Sequence, residues 1–433
     1  MKRVIAICAV WTASFLLGWG FQTPALARPA IFARAIPIAT SAAQERLAAL
    51  GVNNRGEYLV VWEVDAGGGN FDVWGRLYAA TGQPLSHAFA IAATPRPEFG
   101  ARIAYNALDD EFLVVYEDGY PSHEHDIRGR RVRSDPAGPV GDPLGIGITT
   151  GDERWPDVAF SSTAGHYLVA YVLDGDIWAR RIARPGQGDT GGEFLGDEFP
   201  VAADPRSVET TPAVAAAIHE GYFLVAYVYT FSEGDDDVLA QRVQATAPEA
   251  APLLGNHFTL AASLEKEHAP ALAYSPQAHA FILLWQVSIP FSEDVMGRWV
   301  DAKDLSSKPF LGESFAVAGD PVAMERFPQV DIDAQLNQVV VVLAWAPSPG
   351  DWYRPGVVRL RGDPHASEHF LAPLHPLPEQ AGHVLVPRVK LTPGRTQFLQ
   401  GITIQWGTSP DADTDAFLYL TDRWSLMAPL WLQ

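Results

Sequence analysis

The sequence predicts an all-β repeat protein, a seven-bladed β-propeller with four antiparallel strands per blade. Two observations lead there. A Val-rich strand ending in an aromatic residue returns every 54 to 61 residues or so, and each return is flanked by three further strand-like runs. The composition agrees: 34 Pro and 37 Gly in 433 residues, together with many Val, Tyr and Trp, favour short strands and turns over helices.

The N-terminal segment stands outside the repeat. Lys2 and Arg3 precede an apolar run over residues 4–20, and Ala25-Leu26-Ala27 has the small-x-small form of a signal-peptidase site. Residues 1–27 are expected to be a secretory signal peptide and residues 28–433 a single propeller domain. The protein would then be exported, to the periplasm, the cell surface or the medium. No membrane insertion is expected, because no later run has the length of a span. The one cysteine, Cys8, falls in the signal, so disulfide and thiolate chemistry are excluded from the remainder.

The aromatic-ended strand is first Tyr58-Leu59-Val60-Val61-Trp62. It returns at 112–116, 167–171, 223–227, 281–285, 341–345 and 402–406. Ahead of it stands a run such as Pro156-Asp157-Val158-Ala159-Phe160. Behind it stands Asp72-Val73-Trp74-Gly75-Arg76, echoed at 126–130, 176–180, 237–241 and 294–298. A fourth run reads Phe89-Ala90-Ile91-Ala92, with counterparts at 199–202, 258–261 and 315–318. Such a meander cannot bury both faces by itself; stacking copies radially does so and leaves only short edges. The repeated aromatic is therefore assigned to packing between blades. Residues 35–39 have the fourth-strand pattern and are expected to complete blade seven, whose other strands lie within about 387–421; residues 424–428 compete for that place.

This repeat resembles those of bacterial secreted β-propeller proteins with an aromatic-ended strand followed by Asp-[Ile/Val]-x-[Gly/Ala]-[Arg/Gln]-Arg. The match is clear in blades one to five and partial at 355–359 and 415–419. The resemblance implies a fold and no activity.

The net charge of −20 makes nucleic acid and anionic lipid poor partners. The loops entering strand one and those joining strands two and three share one end of the meander, the top. Those loops hold well over half of the 51 acids and about a quarter of the 31 bases, so the top face is expected to carry the acidity. Six entry loops place a Glu three residues before the Pro or Ala that opens strand one: Glu45, Glu98, Glu153, Glu209, Glu267 and Glu325. Such a set is either a ring of carboxylates at the channel mouth or a repeated turn-capping group; repetition favours the second, since sites are built from residues that differ between blades. Trp155, Trp352, Tyr353 and Tyr120 bring aromatic rings to the same face, which with Glu98, Glu153, Glu267 and Glu325 would suit a sugar.

Asp411, Asp413 and Asp415 alternate as they would in a loop wrapping a hard cation, so Ca²⁺ is the expected cofactor if there is one. Ala416 and Asp422 stand where an EF-hand needs Gly and Glu, which excludes that motif. His123 and His125, beside Glu124 and Asp126, could hold a transition metal only with a further ligand from another blade. The expected function is a non-catalytic binding propeller whose acidic, aromatic-bearing top face takes a cation, a glycan or a basic protein. The alternatives are a glycan hydrolase or lyase using top-face carboxylates, and a structural cell-surface element.

Overall fold

The computed structural model describes residues 34–119, 124–188, 193–232, 235–246, 252–376, 383–384, 387–392, 397–405 and 414–422. Within them no helix is long and apolar enough to cross a membrane. The architecture is all-β and propeller-like, built from consecutive antiparallel meanders.

The first meander is β2 (Glu45–Val52), β3 (Tyr58–Asp65), β4 (Phe71–Tyr78) and β5 (Phe89–Ala92), paired in that order. The second is β6 (Glu98–Asn106), β7 (Glu111–Gly119), β8 (His125–Ser134) and β9 (Ala137–Gly147). The third is β10 (Glu153–Ser161), β11 (His166–Leu173), β12 (Asp176–Ala183) and β13 (Phe199–Ala202). The fourth comprises β14 (Val208–Ala217), β15 (Tyr222–Ser232), β16 (Asp235–Gln244) and β17 (Leu253–Ala261). The fifth comprises β18 (Lys266–Ser275), β19 (Ala280–Ile289), β20 (Ser292–Asp301) and β21 (Phe315–Ala318). The sixth comprises β22 (Met324–Asp333), β23 (Gln338–Ala346), β24 (Arg354–Arg361) and β25 (Phe370–Pro376). Single parallel bridges, Asp236 to Lys266 and Glu293 to Met324, run these last three into one extended sheet.

The final group joins the two ends of the chain. β26 (His383–Val384) and β27 (Arg388–Leu391) both pair with β28 (Gln397–Gln405), followed by β29 (Thr414–Asp422) and then β1 (Arg34–Ala39). β1 runs antiparallel to β29, with Ile36 opposite Leu418. Residues 424–428, the competing segment, lie outside the described residues. Leu418 and Ile36 share a core cluster with Leu50, Val60 and Trp62 of the first meander.

Burial explains the residue pattern. Strand two lies mid-sheet with both faces covered, so it is apolar throughout: Leu59, Val60 and Val61 are fully buried, as are Leu113 to Val115 and Leu168 to Ala170. The terminal aromatics Trp62, Tyr116, Tyr171, Tyr227 and Trp285 are buried too, which is the packing role expected of them. Clusters cross from one meander to the next. Leu168, Ala170 and Ile177 of the third pack against Phe223, Val225 and Leu239 of the fourth.

The bottom end is held by arginines from the repeated strand-three motif. Arg242, wholly buried, donates to the carbonyls of Asp304 (3.0 Å) and Ser306 (3.1 Å) in the next meander. Arg131 pairs with Glu111 and reaches across to Glu193 and the Ala183 carbonyl. A buried cation is tolerated only when partnered in this way.

Phe223→Ala should lower the unfolding free energy by about 3–5 kcal/mol, because it opens a cavity between two meanders. Urea denaturation followed by tryptophan fluorescence checks this, and a cost under about 1 kcal/mol would contradict the packing described.

Candidate ligand-binding site

In the first six meanders the corner into strand one begins with a buried carboxylate. Glu45, Glu98, Glu153, Glu209, Glu267 and Glu325 are all at most 3% exposed. Four of them fold back on a Ser or Thr four residues earlier. Ser41 N–H donates to Glu45 (3.0 Å), Thr149 N–H to Glu153 (3.1 Å), and the hydroxyls of Thr94 and Ser263 to Glu98 and Glu267. Glu209 takes the Ser207 hydroxyl instead, at 2.6 Å. These five carboxyls staple turns inside the wall, and all six are interior rather than ringing a mouth. A short acceptor at this point satisfies backbone N–H groups that no strand partner reaches.

Two residues beyond the glutamate the backbone turns left-handed. Gly100, Trp155, Thr211, Ala269 and Phe327 have φ of 65°, 52°, 47°, 50° and 54°. The ladder slips there, for example between Arg154 and Asp157 and between Arg326 and Gln329. This is a β-bulge repeated from meander to meander. Side chains of the preceding meander accept the displaced N–H groups. Gly100 N–H donates to Glu63 (2.8 Å), Trp155 N–H to Glu117 (3.0 Å) and Phe327 N–H to Gln286 (3.2 Å). Non-glycine residues at such φ are strained, and at Trp155 and Phe327 the strain is held by those bonds.

The bulges surround a cavity of about 400 Å³. Trp155 and Phe327 line it while remaining 45% and 39% exposed, so both rings stand at its opening. Below them the cavity is lined by the residue following each strand-opening Pro or Ala: Ala49, Arg102, Asp157, Ala213, Ala271, Gln329 and Arg388. This position varies among Ala, Arg, Asp and Gln, whereas the glutamate is the same in the first six meanders.

The charges in this layer are unbalanced. Asp157 accepts the Val214 N–H at 2.7 Å. Burial raises its carboxyl, against the lowering pull of Arg102. Arg388 is lowered to about 9, first by burial and then by the Arg102 cation. It donates to the carbonyls of Ala48 (2.8 Å) and Pro387 (3.2 Å), and Arg102 donates to that of Ala101 (3.0 Å). Among the described residues neither guanidinium has a carboxylate within ion-pair distance. Glu63 and Glu117, behind the bulges, are both raised by burial, Glu117 to about 7.

Of the side chains singled out from sequence, Trp155 reaches the cavity. Glu98, Glu153, Glu267 and Glu325 are interior. Trp352 is exposed and Tyr353 sits under the Arg326 guanidinium at 5.2 Å, and neither lines the cavity. His125 Nδ1 meets Asp152 Oδ1 at 2.6 Å. Tyr120, His123, Asp411 and Asp413 lie outside the described residues, and of Asp415 only its backbone place on β29 opposite Ile404 is described. Among the described residues no group of three His, Cys, Asp or Glu could hold a metal ion. Phe327, Arg102, Asp157, Gln329 and Arg388 were missed. Their signal was the variable residue on either side of the repeated Pro or Ala.

The solved structure of a protein of unknown function from Dyadobacter fermentans is similar to this chain at TM-score 0.54, with 9% identity over 90% of this chain and 97% of that one. An inactive virginiamycin B lyase from Staphylococcus aureus gives 0.47, with 8% identity over 89% and 99%. An α-L-arabinofuranosidase from Fusarium graminearum gives 0.45, with 11% identity over 73% and 91%. No family model and no curated protein matches the chain. At these identities the likeness concerns the fold and nothing further.

The wall carboxyls have a consequence for stability. Burial raises Glu98 and Glu153 to about 7 and Glu325 to about 8. Each also feels the Asp opening strand three of the meander before it: Asp72, Asp126 and Asp294 respectively. Folded values above the unfolded one, roughly 4.3, mean that folding takes up protons. The stability they contribute is complete below about pH 4.3 and is lost as pH rises through 7 to 8. The melting midpoint should therefore fall by several degrees between pH 5 and pH 8.5, and Glu153→Gln should reduce that fall. A midpoint flat across this range would contradict it.

Proposed function

We propose that the protein is an exported seven-bladed β-propeller, closed by its N-terminal strand, that binds a glycan at the mouth of its central cavity without transforming it. Export rests on Lys2, Arg3, the apolar run and Ala25-Leu26-Ala27. Ring closure is supported by β1 on β29 and by Arg388 and Thr392 reaching the first meander, at Ala48 and Tyr58. The observation that carries the binding reading is the pair of exposed rings, Trp155 and Phe327, at the opening of a polar cavity. Standing in blades three and six, they would face each other across the mouth. Aromatic faces stack on the C–H faces of sugars, and a few fixed polar groups beneath set orientation.

Hydrolysis of a glycosidic bond by a carboxyl pair would need a second acid across that bond. Among the described residues lining the cavity, Asp157 is the one carboxyl, which favours binding over hydrolysis. A basic protein partner loses support because the six entry-loop glutamates counted toward an acidic surface are internal.

Calorimetric titration with a panel of oligosaccharides of two to six sugars should find a ligand, with no turnover on prolonged incubation. Trp155→Ala and Phe327→Ala should each weaken it at least tenfold, about 1.4 kcal/mol, while the circular dichroism spectrum stays unchanged. Binding that survives both substitutions would place the ligand elsewhere.

A further inference from the structure

The residue after each strand-opening Pro or Ala sets the chemistry of the cavity, four places after the entry glutamate in the first six meanders. Going round from the last meander it reads Arg388, Ala49, Arg102, Asp157, Ala213, Ala271 and Gln329. The two arginines flank a single alanine, and the neighbouring Ala213 and Ala271 fill little of the space opposite. Arg388 spends donors on the Ala48 and Pro387 carbonyls and Arg102 on that of Ala101. A guanidinium has five N–H donors, so each retains others. Asp157, the acid of this layer, already accepts the Val214 N–H. At this position two cations thus face the cavity against one anion, while the buried carboxyls of Glu63 and Glu117, which also act on these arginines, stand behind the bulges rather than in the lining. Like charges held close in a partly dehydrated space repel, and an oxyanion set between them removes that repulsion while accepting charge-assisted hydrogen bonds.

We propose that Arg102 and Arg388 form an oxyanion subsite, and that the glycan bound here is acidic, its charged group seated between them over Ala49. This rests on the glycan reading above and adds the class of sugar. A carboxylate on a uronic acid and a sulfate ester share the chemistry required: planar or pyramidal oxygen acceptors that guanidinium groups grip through paired N–H bonds. The Trp155 and Phe327 rings would then hold the sugar body above, so that charge and stacking act on one residue of the ligand.

The test is calorimetric titration of the purified protein at low ionic strength with four probes: a uronic-acid disaccharide, its carboxyl-reduced neutral counterpart, a sulfated disaccharide, and sodium acetate. The expected result is binding of one acidic disaccharide at least tenfold tighter than the neutral one, the preferred arm naming the charged group. Raising the salt should weaken it. Arg102→Gln should abolish the preference for charge, whereas Arg206→Gln, an equal change of net charge on an exposed loop, should leave it intact. Arg388 ties the last meander to the first, so Arg388→Lys, which keeps the cation, is the variant at that site. It should retain part of the preference. Equal affinity for acidic and neutral disaccharides would overturn the oxyanion subsite and leave the glycan reading standing. Acetate binding as tightly as the acidic disaccharide would overturn the glycan reading, and the acidic-glycan proposal with it. No binding by any of the four would overturn both.

Discussion

The buried glutamate at the start of strand one is the constraint on which the rest of the molecule depends. It sits where the chain leaves the outer edge of one meander and crosses to the inner edge of the next, a place where the backbone has no strand partner. By accepting N–H and hydroxyl groups from Ser41, Thr94, Thr149, Ser207 or Ser263, the carboxyl fixes that corner. With the corner fixed, the next two residues are forced into a bulge, and the bulge decides which side chains enter the cavity. Trp155 and Phe327 stand at the opening because of this geometry, not because of any property of tryptophan or phenylalanine.

A second layer of ties links meanders that are already packed through their apolar faces. At the top, Glu63, Glu117 and Gln286 reach across to the bulge N–H groups of the following meander. The third and fourth meanders carry Val172 and Val228 at the matching position, which offer no acceptor. At the bottom, Arg131, Arg181 and Arg242 donate to carbonyls of the following meander, across the seams from the second meander to the fifth. The apolar clusters supply the bulk of the stabilisation; these polar ties fix how one meander is set against the next. The raised pKa values of the wall carboxyls are the electrostatic cost of that arrangement.

The strands were legible because burial on both faces leaves a continuous apolar run with an aromatic end, repeated at a nearly constant interval. β5, β13 and β21 fall on the residues the repeat marks for the fourth strand, and the N-terminal strand β1 covers residues 35–39, whose fourth-strand pattern and distance to Glu45 marked them as a strand. The site was less legible. A glutamate in a Pro- and Gly-rich loop reads as surface, and only the Ser or Thr four residues before Glu45, Glu98, Glu153 and Glu267 marks it as internal. Summing charge by loop could not separate acids that face water from those inside the wall. Arg102 and Arg388 were hidden for another reason: the bulge shifts the alternation of inward and outward positions, so simple counting from the strand start misplaces them.

The wall glutamate holds the corner, while the residues two and four places after it meet the cavity. Foundation and contents are thus assigned to different side chains within a stretch of five. Ala49, Ala213 and Ala271 already show that the inner position tolerates a methyl group as readily as the guanidinium of Arg102. The cavity could therefore be rewritten one meander at a time, by drift in nature or by a combinatorial library in the laboratory, with the meanders themselves inherited unchanged. A chain of this kind is best regarded as a frame of interchangeable panels, whose recognition can diverge much faster than its shape.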